Sequence, residues 1–441
     1  MVTSMEIFSR GRVAGTAPAS LRDKPRPDHF IQPVIALATF RMADTLMPVA
    51  DALARILQSF TPTGPETVPV SEAAGRVLAR PVRSRRTQPP ADVSAMDGYA
   101  LRAAEAPLDA RLRVSGESAA GHPFHGPFGP GEAIRISTGA YLPEGADSIL
   151  LQEDATREAD TITVNEAPRP HRWIRRQGLD FRDGDPLMEA GRRLTARDIG
   201  LAAAAGHPWL TLHRRPRIAI LATGDEIALP GEPTPPGGIV SSNSFALAAM
   251  IRTAGAEPLL LPVAPDDPAA LLATARGARG CDLLLTSGGA SVGDHDQTVA
   301  ALAREGFTLD FWKIAMRPGK PLVFGDWSGL PVLGFPGNPV STIICAVVFL
   351  LPVLARLSGQ SAPALPTLSA RCTTALPEND RRADHLRATL RNGEVTPAPQ
   401  QDSSMLRTLA DANALILRAP HAEATEPGAT VEVLDLTALG V

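Results

Sequence analysis

Apolar positions along the chain recur with two different periods, and the changes of period mark where one kind of element gives way to another. From Pro48 to Phe60 the apolar residues Val49, Leu53, Ile56 and Leu57 stand three and four apart, which predicts a helix. A second short helix is expected over Val70–Leu78, opened by Ser71-Glu72, and Gln88-Pro89-Pro90 ends the pattern. Over residues 91–172 the period shortens to two, in Leu112-Arg113-Val114, Ala133-Ile134-Arg135-Ile136 and Ser148-Ile149-Leu150-Leu151-Gln152. Gly and Pro separate these segments, so a small β domain inserted into an α-rich one is expected. Helical spacing returns at Thr195–Leu201, with Thr195 as its N-cap.

From about residue 215 to 362 apolar strands alternate with apolar helices, the pattern of an α/β domain. Arg217–Ala222, Asp282–Ser287 and Val332–Phe335 read as strands, and Phe245–Thr253 and Pro268–Ala275 as helices. The most apolar run, Ile343–Leu354, contains Pro352 and is shorter than the ~20 residues needed to span a bilayer, so a core helix is expected. Beyond Pro363 the period is two again, at Thr367–Cys372, His385–Leu390, Ala414–Leu417 and Thr430–Leu434. These segments predict a terminal β domain of about five strands.

All three α/β strands stop at polar, glycine-bearing loops. They are Thr223-Gly224-Asp225-Glu226, Ser287-Gly288-Gly289-Ala290-Ser291-Val292-Gly293, and Pro336-Gly337-Asn338-Pro339-Val340-Ser341. In an open α/β sheet such loops share the edge at the carboxyl ends of the strands, where ligands bind. Glycines let backbone N–H groups approach an anion closely. Asp294 and Asp296, at the far end of the second loop, suit a cation better than a phosphate. Lys313, Arg317 and Lys320 add positive charge within eight residues, broken by Pro318-Gly319. The combination predicts a site for an anionic ligand that carries a metal ion.

Bulk properties narrow the classes. The 441 residues suit roughly three domains, and a formal net charge of -4 with interleaved signs argues against a nucleic-acid partner. Aromatic content of 4% offers little surface for stacking bases. Cys281, Cys345 and Cys372 are odd in number and widely spaced, which suggests neither a disulfide framework nor a zinc site and fits a reducing, cytoplasmic compartment. No secretory signal is apparent in residues 1–41, which read as a disordered extension, with Met42 or Met47 as alternative starts. His122 and His125 lack a third ligand nearby and read as loop histidines.

Five motifs occur in an order that resembles the molybdopterin molybdenumtransferases, the bacterial MoeA family that includes the E domain of gephyrin. They are Ser94-Ala95-Met96-Asp97-Gly98-Tyr99-Ala100, the three glycine loops above, and Arg317-Pro318-Gly319-Lys320-Pro321. The resemblance covers about residues 45–441. It implies a multidomain α/β plus β architecture: an elongated α-rich domain I (42–86 and 173–214), an inserted β domain II (87–172), a three-layer α/β molybdopterin-binding domain III (215–362) and a C-terminal β-barrel-like domain IV (363–441). It further implies a homodimer that inserts molybdate into adenylylated molybdopterin, releasing AMP and giving the molybdenum cofactor, assisted by Mg2+. Implied partners are the adenylyltransferase and molybdoenzyme apoproteins or their chaperones, with no nucleic acid and no membrane.

The resemblance also implies roles. Asp97, Thr138, Asp180, Glu226, Asp266 and Asp296 match catalytic positions, and Asp225, Glu226 and Asp296 would hold the metal. Thr223, Gly224, Ser287, Gly288, Gly289, Lys313, Arg317, Lys320, Pro336 and Asn338 would bind the pterin nucleotide. Arg317, Lys320, Arg382 and Ser403 would form the molybdate pocket, where the planar arginine fork suits a tetrahedral dianion. Plainer alternatives are a turn aspartate at 97, a strand-end hydroxyl at 138 and a surface strand arginine at 382. Asp402 beside Ser403, Leu179 before Asp180, and Ser241 before Ser242-Asn243-Ser244 depart from the family pattern. Two rival functions are the adenylyltransferase, a single-domain relative, and a scaffold of the gephyrin type.

Overall fold

Strands with almost unbroken apolar sequence need cover on both faces. In the computed structural model, which describes residues 46–288, 297–361 and 365–441, three such strands fill the middle of a six-stranded sheet. Its order is Glu257–Leu260, Arg217–Ala222, Leu283–Ser287, Leu330–Phe335, Val323–Trp327, Phe307–Trp312. The first four are parallel, as the glycine-bearing strand ends predict, and the last two are antiparallel. The antiparallel step comes from a hairpin at Ser328-Gly329, where both residues have positive φ and the turn twists with its strands.

Alternate side chains of the Arg217–Ala222 strand serve opposite faces. Ile218 and Ile220 pack with Leu247 and Ile251 of helix Asn243–Thr253 and with Ile343 and Ile344. Ala219 and Leu221 pack with Leu271 and Leu272 of helix Pro268–Ala275 and with Ala301 and Leu302 of helix Gln297–Ala303. The sheet is therefore the middle of three layers.

Two expected helices differ. The run expected over Ile343–Leu354 belongs to a 19-residue helix, Pro339–Leu357. Pro352 does not end it, because a wider π turn over Ala346–Leu350 precedes the proline and accommodates its missing N–H. Its length and apolarity would suit a membrane span, yet 83% of the apolar window is buried inside the protein. The helix expected over Val70–Leu78 is instead a single 3-10 turn, Val70–Glu72. Gly75 adopts φ 75, and Val77 and Leu78 then bridge to Arg193 and Leu212, so tertiary pairing overrides the local helical spacing. Helices Val49–Gln58 and Ala196–Ala204 form as expected, the second with Asp198 accepting from both the backbone N–H and the hydroxyl of Thr195.

Residues 98–164 hold a second six-stranded sheet, ordered Ser148–Leu151, Gly98–Leu101, Glu132–Ile136, Arg111–Ser118, Thr161–Val164, Ala155–Glu158. At the C-terminal end, Thr367–Cys372, Ala383–Arg391, Glu394–Pro397, Ala414–Arg418 and Thr430–Asp435 close on themselves through the pairing of Ala383–Arg391 with Ala414–Arg418. The five-stranded barrel leaves no free edge among these strands. Met316–Arg317, between two strands of the central sheet, pairs in parallel with Ala383-Asp384 and so ties that sheet to the barrel.

Candidate functional site

The three strand-end loops meet at one edge of the central sheet. Thr223 follows its strand, Ser287 ends the neighbouring one opposite Ala222, and across the next pair Ser287 lies opposite Phe335. Gly288 takes φ 93, and a Cβ there would stand 3.0 Å from the Thr223 carbonyl oxygen. Gly337 lies on the other side, where a Cβ would stand 3.8 Å from the Gly288 Cα in ordinary contact, so it is at Gly288 that the close approach requires glycine. Asn243, at the start of its helix, joins them: its Nδ2 donates to Ser287 Oγ at 2.9 Å and to the Gly337 carbonyl at 2.8 Å. Asn243 was outside the residues singled out from sequence. The signal available was Ser242-Asn243-Ser244 before an apolar helix, which marks a helix start but gives no hint of a cross-loop tie.

Acidic groups gather at the first loop. Asp225 Oδ1 accepts from the Asp266 backbone N–H at 3.1 Å, which places the two side by side, and Glu226 folds back over Gly224, whose φ is 145. Asp225, Glu226 and Asp266 are exposed. No group of three metal-ligating side chains forms among the described residues. Gly289, Asp294 and Asp296 lie outside the described residues.

At the third loop the Pro336 carbonyl accepts from Thr342 Oγ1 at 2.6 Å, which fixes the turn into the long helix. Asn338 Nδ2 donates to Ser403 Oγ at 2.8 Å, and the Val340 N–H donates to the Ser403 carbonyl at 3.2 Å. The C-terminal region thus contributes Ser403 directly to the strand-end loops. Asp402 turns away: its Oδ1 accepts from the N–H and Oγ of Ser404, and these two bonds hold its carboxyl below the usual range. The carboxylate that looked misplaced in the sequence is the acceptor of a local turn.

The cationic segment divides. Lys313, at φ 74, lays its Nζ 4.2 Å from the ring centre of Trp312. Among the described residues the exposed Lys320 makes no ion pair, and Gly319 before it packs on Cys345 Sγ. Arg317, by contrast, is held by Asp384, with Asn379 Oδ1 at 3.2 Å and Asp380 Oδ2 at 3.6 Å. Arg382 lies beside it, its Nη2 2.7 Å from the same Asp380 oxygen. Among the described residues no hydrogen bond joins Ser403 to Arg317, Lys320 or Arg382. Arg317, Asn379, Asp384 and Gln401 also line a cleft of about 510 Å3 against the barrel.

In the second sheet the structure brings Asp97 and Thr138 together. Asp97 Oδ1 accepts from the Thr138 backbone N–H at 2.6 Å and from its hydroxyl at 2.9 Å. Those bonds, the backbone one foremost, hold the exposed Asp97 carboxyl below its ordinary range. Asp180 is exposed, and its backbone N–H donates to the Gln88 carbonyl at 3.0 Å. The strand of chain around it also pairs Gln177 and Arg176 with Asp92, a few residues before Asp97. Among the described residues no hydrogen bond or ion pair connects Asp97, Thr138 or Asp180 to the strand-end loops. His122 and His125 are exposed loop residues.

Comparison with known proteins covers nearly all the described chain. Three family models match in succession: the MoeA N-terminal region (domain I and II) over residues 47–206, a probable molybdopterin binding domain over 219–356, and the MoeA C-terminal region (domain IV) over 369–436. The molybdopterin molybdenumtransferase of Haemophilus influenzae is 38% identical over 68% of this chain and 74% of its own length. Molybdopterin molybdenumtransferase 2 of Mycobacterium tuberculosis is 36% identical over 85% of this chain and 95% of its own. A crystal structure of the molybdopterin biosynthesis MoeA protein from Pyrococcus horikoshii, 31% identical, superposes with a TM-score of 0.77 over 89% of this chain and 99% of that one. With the three family models matched in order and relatives 36–38% identical over most of their length, the chain belongs to the MoeA family.

Proposed function

We propose that this chain inserts molybdate into adenylylated molybdopterin with release of AMP, the step that completes the molybdenum cofactor. The observation that carries the reading is the convergence of Thr223-Gly224, Ser287-Gly288 and Gly337-Asn338 at one sheet edge, tied by Asn243, in a member of this family. The substrate is a polyanion: a dithiolene-bearing pterin whose phosphate is joined to AMP through an anhydride. Close-approaching backbone N–H groups at the glycines bind its phosphates, and Lys313 and Lys320 supply point charges. Arg317 and Arg382 bind the molybdate oxygens, with Lys320 between the two tasks and Ser403 adding a hydroxyl from the C-terminal side.

Asp225 and Glu226, with Asp296, are the proposed holders of Mg2+. Their donor set fits: all three offer hard carboxylate oxygens, Asp225 and Glu226 are exposed, and Mg2+ is commonly held by one or two carboxylates together with substrate phosphates. When bound, the cation supplies charge neutralisation at the anhydride. Asp266, whose backbone position is fixed by Asp225, faces the same region. Asp97 and Thr138 are assigned to the same active site, completed by a second copy of the chain, and Asp180 is assigned with them. The proposed assembly is a homodimer with the four domain boundaries expected from sequence. A cytoplasmic location accords with three unpaired cysteines, two of them buried. The adenylyltransferase and molybdoenzyme apoproteins or their chaperones are proposed partners, since they would supply the substrate and receive the product.

The direct test incubates the purified chain with adenylylated molybdopterin, Mg2+ and molybdate and measures AMP. Release that depends on molybdate is expected. No release under any of these conditions would assign the chain a binding or scaffold role. Asp296→Ala is expected to leave the fold intact by circular dichroism and to abolish AMP release, and unchanged release removes Asp296 from the mechanism.

A further inference from the structure

Asp380 sits between two arginines in a way that has the form of a bound oxyanion. Its Oδ2 lies 2.7 Å from Arg382 Nη2 and 3.6 Å from Arg317 Nη1, so one oxygen bridges both guanidinium groups. Its Oδ1 accepts from the Arg382 backbone N–H at 2.8 Å and lies 3.3 Å from Arg382 Nε. These bonds, with the Arg382 side chain foremost, pull the Asp380 carboxyl down to about 2, so it is ionised near neutral pH.

The second carboxylate on Arg317 is of a different kind. Asp384 is only 6% exposed and is fixed in the barrel strand that pairs with Arg317, whereas Asp380 is 43% exposed and lies in the loop before that strand. Asn379 adds to the anchoring: its Oδ1 accepts from Arg317 and its Nδ2 donates to the carbonyls of Arg382 and Ala419. Arg317 is therefore held in place from the buried side even without Asp380. The arginine pair has a fixed buried acid and a displaceable exposed one.

We propose that Asp380 is an internal surrogate anion that sets the molybdate affinity of the site. A tetrahedral dianion entering between Arg317 and Arg382 takes over the ion pairs of Asp380, whose side chain swings into solvent, while Asp384 and Asn379 keep Arg317 oriented. Binding is thus an exchange of one anion for another, and weakly charged or monovalent anions lose the competition. The inference rests on the assignment of Arg317 and Arg382 to molybdate, and it makes Asp380 a specificity-determining residue of that site.

The test is equilibrium binding of molybdate to the full chain by titration calorimetry, without the pterin, for wild type, Asp380→Asn and the double variant Asp380→Asn/Arg382→Ala. Asparagine keeps the side-chain oxygen that accepts the Arg382 N–H and removes only the charge, so the turn persists. The expected result is a molybdate dissociation constant about fivefold lower in Asp380→Asn, the scale of two partly exposed ion pairs, with that gain lost in the double variant. Equal or weaker binding in Asp380→Asn, or binding in neither chain, overturns the proposal. AMP release by the wild type is measured separately, so tighter binding without AMP release would leave the anion exchange standing and remove the transferase reading.

Discussion

At the scale of single residues, the chemistry of this protein depends on which carboxylates are tied up and which are left to act. Asp402 is engaged by Ser404 and Asp380 pairs with two arginines from an exposed loop, whereas Asp225 and Glu226 face outward and Asp97 is poised by two bonds from Thr138. Because those bonds favour the charged form, Asp97 remains a carboxylate below the ordinary range and gains a proton only as pH falls through its lowered value. Thr138→Val removes the hydroxyl bond and keeps the backbone one, so the pKa rises part of the way back. The acid limb of the pH profile of AMP release is then expected to move to higher pH. A limb that stays in place would take Asp97 out of the reaction.

Turn chemistry at the strand ends made the glycine loops legible in the sequence, and the family resemblance singled out Asp97 and Thr138, which the fold brings together. The network around Arg317 was not legible, because Asn379, Asp380 and Asp384 stand more than sixty residues away and meet it only through the pairing of Met316-Arg317 with Ala383-Asp384.

At the scale of elements, the site depends on strand ends held in register. Asn243 is the cross-tie, and Asn243→Ala removes two hydrogen bonds, at a cost of about 1–2 kcal/mol. The larger expected consequence is functional: loops displaced by a fraction of an ångström lose about tenfold or more in AMP release. Kinetics beside a thermal melt separates the two effects, and a variant that loses stability without losing rate would make Asn243 purely structural.

The barrel carries a pH-dependent element of its own. His385 is buried, its Nδ1 has no partner among the described residues, and burial lowers its pKa from an ordinary 6.5 to about 4, opposed by a bond to the Arg317 backbone. Between those values the unfolded chain takes up a proton that the folded chain refuses. Stability contributed by the neutral ring is therefore complete above pH 6.5 and declines as pH falls toward 4, by on the order of 3 kcal/mol. Denaturant titrations at the two ends of that window should show a smaller loss for His385→Gln than for wild type.

At the scale of the whole molecule, the Asp97–Thr138 pair at the strand ends of the second sheet and the loops of the central sheet are joined by no direct bond among the described residues. The proposed dimer, in which each active site would draw on both chains, reconciles that separation with one reaction. Mixing Asp97→Ala chains with Lys320→Ala chains, each inactive alone, should then restore about a quarter of wild-type AMP release. Random pairing gives half heterodimers, each with one intact site of two. No recovery after unfolding and refolding the mixture, with light scattering confirming dimers, would place the complete site within one chain.

Apolar periodicity and turn chemistry are local, so the sequence alone determined where the strands of the three sheets and the helices Val49–Gln58 and Ala196–Ala204 form. It set the parallel strands ending in glycine loops, the period-two segments that build the second sheet and the barrel, and the family motifs. Tertiary structure decided what depends on distant partners. A π turn carried the long helix past Pro352, and bridges from Val77 and Leu78 dissolved an expected helix. The hairpin at Ser328-Gly329 reversed one sheet edge. Above all, the fold gave Arg317 and Arg382, the arginines of the proposed anion site, their carboxylate partners, since the free energy of a charge is fixed by what lies within a few ångströms of it in space, whatever the separation along the chain.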